Sequence, residues 1–135
     1  MNEIPNNSEI PCEEVLLRVI LKPKHVDNDG RARAEAFLLR PQDEGKLSTF
    51  RAIFTSTKMC RDAFKKCFGV VTLHCGHIRA TEINGGVPLD VIGDALADDV
   101  LPGHASILNL PDKENDPFLA ERIASLLRDQ SRSAG

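Results

Sequence analysis

Five polar side chains are of the types that together hold an anion: Arg18, His25, Arg31, Ser48 and His104. Arg18 interrupts an otherwise apolar run, Val15-Leu16-Leu17-Arg18-Val19-Ile20-Leu21, which reads as a strand buried on both faces. On a period of two, Leu16, Arg18 and Ile20 share one face, and Val15, Leu17, Val19 and Leu21 share the other. A guanidinium in that setting is costly unless it meets a carboxylate, a cluster of carbonyls or a bound anion. Arg31 offers a second guanidinium for the same anion. Ser48 contributes a hydroxyl, and His25 or His104 a hydrogen-bond donor or proton carrier. A purely internal arrangement is the alternative: Arg18 paired with Asp27, Asp29 or Glu82, and His104 capping nearby backbone.

Other chemistries fit less well. Cys60, Cys67, His74, Cys75 and His77 are zinc-ligand types, but Cys60 and Cys67 lie two helical turns apart rather than on a knuckle. They also fall on the apolar stripe of a helix, where a free thiol acts as a small hydrophobe. The turn His25-Val26-Asp27-Asn28-Asp29-Gly30 aligns with a calcium loop through Gly30, yet that alignment puts Ala36 where the bidentate Glu belongs. No Gly-x-Ser-x-Gly elbow frames a serine nucleophile, and Gly85-Gly86 lacks the Lys-Ser/Thr of a phosphate loop. The reading therefore assigns no catalytic residue, no metal and no cofactor.

Charge is distributed unevenly. Residues 15–68 carry twelve Lys or Arg against six acids, residues 69–135 five against ten, and the first fourteen residues four acids and no base. Such polarity suits an anionic ligand or a protein partner at one end. Without Trp or Tyr the chain lacks the usual stacking platform for nucleic acid. Residues 1–14 have no apolar h-region and no segment reaches membrane-spanning length, so a cytoplasmic protein that engages neither membrane nor nucleic acid is expected, with four reduced cysteines.

These residues must be positioned by one small domain, because 135 residues leave room for a single core. Residues 1–14 read as a disordered lead-in, 15–129 as the domain and 130–135 as a frayed tail. Strands are expected over Val15–Leu21, Leu47–Phe54, Val70–Cys75 and His104–Leu110. A helix capped by Ser56 or Thr57 is expected to run to Phe68, with Gly69 after it, and a second to start at Asp116-Pro117 with Leu119, Ile123, Leu126 and Leu127 inward. Ala32–Leu39 is a short element of open type. Gly76–Leu101 should be irregular with a short helix or edge strand. The order predicts an α/β (α+β) fold, a small mixed sheet of four to five strands with two main helices packed on it.

Arg18, His25 through Arg31, Ala36-Phe37, Leu47-Ser48 and His104 through Ile107 resemble a pattern in small uncharacterised bacterial proteins of similar length. That pattern is an early strand Arg, a His-Val-x-x-Asp-Gly-Arg turn, Ala-Phe, Leu-Ser and a late His-Ala-x-Ile. More remotely, Arg18 and Ser48-Thr49 resemble the early Arg and later Ser with which ADP-ribosyltransferase-type toxin domains hold a nicotinamide dinucleotide. Those domains also need a Glu on a late strand. His104–Leu110 contains none, and Glu82 is the only candidate. The expectation is a non-catalytic accessory domain of a bacterial multi-gene system, binding a protein partner or small anionic ligand at a basic face around Arg18. An ADP-ribosyltransferase-like enzyme is the alternative.

Overall fold

The computed structural model describes residues 8–81, 88–96 and 98–134. Its centre is a seven-stranded sheet comprising β1 (Ser8–Glu9), β2 (Val15–Ile20), β3 (Leu47–Arg51), β4 (Gly69–His74), β5 (Asp90–Gly93), β6 (His104–Leu108) and β7 (Arg132–Ser133). The order across the sheet is β1-β5-β6-β3-β2-β4-β7, and every ladder is antiparallel. The α/β class with two substantial helices on a sheet is as expected, whereas the sheet is wider than expected and purely antiparallel rather than mixed. The extra strands come from segments read as structureless. Ser8–Glu9 pairs with β5 and Ile10 is wholly buried behind it, while Arg132–Ser133 pairs with β4. Two-residue strands carry no readable period, so only tertiary pairing reveals them.

Alternation along β2 divides the core in two. Leu16 and Ile20 join the larger cluster with Leu47, Val71, Ile107 and Phe37. Leu17 and Val19 join the smaller one with Phe50, Cys60, Val70 and Leu101. The larger cluster is covered by α3 (Pro117–Gln130), capped by Asp116 accepting from the Leu119 amide, with Ile123 and Leu127 buried. It is also covered by a 3-10 turn over Ala34–Phe37, the form taken by the segment of open type.

The smaller cluster is covered by α1 (Thr57–Ala63), whose cap Ser56 accepts from the Met59 amide. This helix ends five residues earlier than expected. Phe64 turns extended, the Phe68 amide donates to the Ile20 carbonyl at 2.9 Å, and Gly69 enters β4 rather than forming a left-handed cap. The sheet's hydrogen-bond ladder wins over the helix's last turns. In the segment expected to be irregular, α2 (Cys75–Arg79) follows β4 directly, and β5 is an interior strand between β1 and β6. Gly85-Gly86 and Glu82 lie outside the described residues. Among the described residues, no helix is long and apolar enough to cross a membrane.

Gly103 turns the chain into β6 at φ +79, and its carbonyl accepts from the Arg51 amide at 2.8 Å. A Cβ there would lie 2.9 Å from Phe54 Cβ. Gly103→Ala is therefore expected to cost about 1–3 kcal/mol through backbone strain alone, read as a lowered urea midpoint.

Candidate functional site: a basic cleft where two central strands part

β2 and β3 are neighbours, yet they pair only at Leu16↔Arg51 and Leu17↔Phe50. Beyond that point β2 continues to Ile20 against β4, and the start of β3 pairs with β6 alone. Arg18 spans the gap. Its Nη1 donates to the Ser48 carbonyl at 3.0 Å, and Nε and Nη2 donate to the Ala36 carbonyl at 3.3 and 3.0 Å. Of the partners foreseen for a guanidinium in this strand, the carbonyl cluster is the one realised among the described residues. Asp27 is occupied elsewhere: its Oδ1 accepts the Asp29 and Arg31 amides, both at 2.9 Å, building the turn that Gly30 completes at φ +79. Burial pushes the Arg18 guanidinium down to about 10, with attraction from Asp43 opposing that shift, so it stays cationic at neutral pH.

The parting of the strands opens a cleft of about 420 Å³. Arg18 forms part of its floor, with Ile20, Ala36, Leu38, Leu39 and Leu47 as apolar walls. Lys22, His25, Arg40, Lys46 and Lys113 complete its basic lining, against the carboxylates Glu35 and Asp43. Among the described lining residues, permanent cations thus outnumber carboxylates five to two. Asp43 is partly taken up, since it accepts the Arg40 amide at 2.8 Å and faces Arg40 Nε at 3.7 Å.

Of the five residues picked out by sequence, Arg18, His25 and Ser48 line this cleft, and Arg31 and His104 do not. Ser48 contributes its carbonyl, because alternation along β3 sends its side chain to the opposite face of the sheet from Leu47 and Thr49. Arg31 lies at a separate cavity with Asp27, Asp29, Arg128, Asp129 and Arg132. His104 sits on the far face, its ring edge-on to Phe50. There its Nδ1 meets Asp94 Oδ1 at 2.6 Å, and Ser106 Oγ donates to Asp94 Oδ2 at 2.6 Å. A carboxylate shared by the two is not a nucleophile–base–acid relay, in which serine would address histidine.

Lys22, Arg40, Lys46 and Lys113 were not singled out from the sequence. The first three lie in the basic stretch 15–68 and were visible there as unassigned charge. Lys113 comes from the acidic half, carried in where its backbone N–H donates a hydrogen bond to the Leu39 carbonyl at 3.0 Å beside the Leu39↔Asp112 bridge. No pattern in the chain announces that contact.

The cysteine–histidine window forms no shared site. Cys60 and Cys75 are buried, and burial raises both thiols, that of Cys75 to about 11, which keeps them protonated and poor metal ligands. Among the described residues no three potential metal ligands gather.

Desolvation, then repulsion from Lys22, lowers the pKa of His25 from its ordinary 6.5. Its neutral form is favoured in the folded state, so the unfolded chain binds more protons below about pH 6.5. This contribution to stability is fully present above that pH and declines as pH falls through the window down to the depressed pKa. Thermal melts between about pH 7.5 and about pH 5.5 are expected to show a smaller acid-side loss for His25→Gln than for the wild type.

Compared with known proteins, the chain matches no protein family, no curated sequence and no solved structure.

Proposed function

We propose that this chain is a non-catalytic accessory domain that holds an anion in the cleft between β2 and β3. The anion is a small ligand or a group presented by a protein partner. One observation carries the reading: a half-buried, charged Arg18 among five permanent cations and two carboxylates, with aliphatic walls beside it. Unbalanced like charge around a concave site is destabilising unless something negative settles there. The low dielectric of such a site strengthens the attraction when it does.

The ADP-ribosyltransferase-like reading draws less support. Arg18 and the Ser48 hydroxyl are directed to opposite faces of the sheet, whereas a dinucleotide held by both needs them on one face. Glu82, the only candidate for the catalytic acid, lies outside the described residues.

Thermal melts with inorganic pyrophosphate test the proposal at constant ionic strength. The melting temperature is expected to rise with pyrophosphate and not with chloride. Lys46→Glu with Lys113→Glu should remove the rise, and both side chains are exposed, so the unliganded fold should survive. An equal rise in wild type and variant would place the anion elsewhere and end the proposal.

A further inference from the structure

The lining of the cleft specifies more than the sign of its ligand. A guanidinium has five N–H donors, and Arg18 commits three of them to the Ala36 and Ser48 carbonyls, one each from Nε, Nη1 and Nη2. One N–H therefore remains on each terminal nitrogen, two donors still available to the oxygens of an anion. The cationic surplus of three exceeds what a single carboxylate neutralises. A phosphomonoester places nearly two charges and three acceptor oxygens on one centre. Lys22 follows β2, Lys46 precedes β3 and Lys113 follows β6, so three ammonium groups reach the site from three separate segments.

The walls constrain the rest of the molecule. Ile20, Leu38, Leu39 and Leu47 are aliphatic, and no Phe lies among the described lining residues. Nucleobases are ordinarily held by stacking worth about 1–3 kcal/mol per base, and among the described lining residues the His25 imidazole is the one ring, with no Phe to sandwich a base against it. Its volume of about 420 Å³ is toward the small end of ligand pockets. It suits one small molecule or one modified side chain.

We propose that the cleft binds a phosphomonoester on a short aliphatic body, with the phosphate on the two uncommitted N–H groups of Arg18 and the aliphatic part against Leu21 and Leu38, the lining leucines with accessible surface. This proposal rests on the anion-binding reading above. The same chemistry comes from two sources, a free phosphorylated metabolite or a phosphoserine side chain of a partner.

Calorimetric titration of the full chain at fixed ionic strength separates the possibilities, using glycerol phosphate, a phosphoserine peptide, succinate and adenosine monophosphate. At least one of the first two is expected to bind about tenfold or more tighter than succinate, with adenosine monophosphate no tighter than glycerol phosphate. Preference for glycerol phosphate identifies a free ligand, and preference for the peptide identifies a partner's side chain. Lys46→Glu/Lys113→Glu should weaken binding by about tenfold or more, while the unliganded melting temperature stays at or above that of the wild type because the cationic surplus is relieved. That variant is the informative one, because Arg18 substitutions also strip two carbonyls of their donor. Succinate binding as tightly as both phosphomonoesters, or adenosine monophosphate binding about tenfold tighter than glycerol phosphate, would overturn the ligand class and leave an anion site standing. No measurable binding by any of the four overturns the ligand class; if pyrophosphate also fails to raise the melting temperature, the anion-binding reading falls with it.

Discussion

Glu14→Ala is expected to destabilise the domain by about 3–5 kcal/mol, the range for breaking one side of a buried ion pair. Glu14 and Arg51 are among the few buried charged residues, at 8% and 5% exposure. They meet in a two-pronged contact, Arg51 Nε to Glu14 Oε1 at 2.8 Å and Nη2 to Oε2 at 2.6 Å. Arg51 Nη1 is buried with no hydrogen-bond partner among the described residues, and the guanidinium lies 5.0 Å from the centre of the Phe54 ring. Removal of the carboxylate strands a cation that water cannot reach. For a chain of this size the loss corresponds to roughly 10–20 °C in melting temperature. The double replacement Glu14→Met/Arg51→Met should recover most of it, because well-packed apolar pairs often match buried ion pairs. Urea denaturation of the single and double variants measures both. A single-variant cost below about 1 kcal/mol would mean the pair behaves as an exposed, screened one.

Phe37→Ala should cost a comparable amount, about 3–5 kcal/mol, and should also weaken the anion site. Phe37 is 2% exposed and is the largest of the wholly buried side chains. It fastens the 3-10 turn Ala34–Phe37 into the core shared with Ile123 and Leu127 of α3. The carbonyl immediately before it, that of Ala36, receives two of the three hydrogen bonds Arg18 makes. A cavity beneath the turn therefore loosens the acceptor that orients the guanidinium. Chemical denaturation gives the stability cost, and pyrophosphate melts read the loss of binding. Phe37→Leu, which keeps most of the volume, should retain most of both. If Phe37→Ala leaves the pyrophosphate response intact, the turn does not orient Arg18.

Local rules made several parts of this architecture legible. Strand β2 follows from an unbroken apolar run, α3 from an Asp-Pro start and an inward stripe, and the Asp27 turn from an Asx side chain ahead of a glycine at positive φ. The oddity of Arg18 was legible too, because one charge among six apolar neighbours needs no partner sequence to be noticed. The end of α1 was not legible. Phe64 and Cys67 continue the apolar spacing of a helix, but the amide of Phe68 donates to the carbonyl of Ile20, a residue 48 positions away.

An α/β core, and a charge at Arg18 that this core would have to accommodate, were readable from residue order alone. How the charge is accommodated was not. Periodicity assigns a side chain to a face but not to a neighbour, so it could not separate Arg18 from His104, which lie on opposite faces of the same sheet. Nor could it bring Lys113, 95 residues downstream, to the mouth of the same cleft. Strand order and the premature parting of β2 from β3 set those distances. Both arise from the sum of many long-range contacts rather than from any local signal.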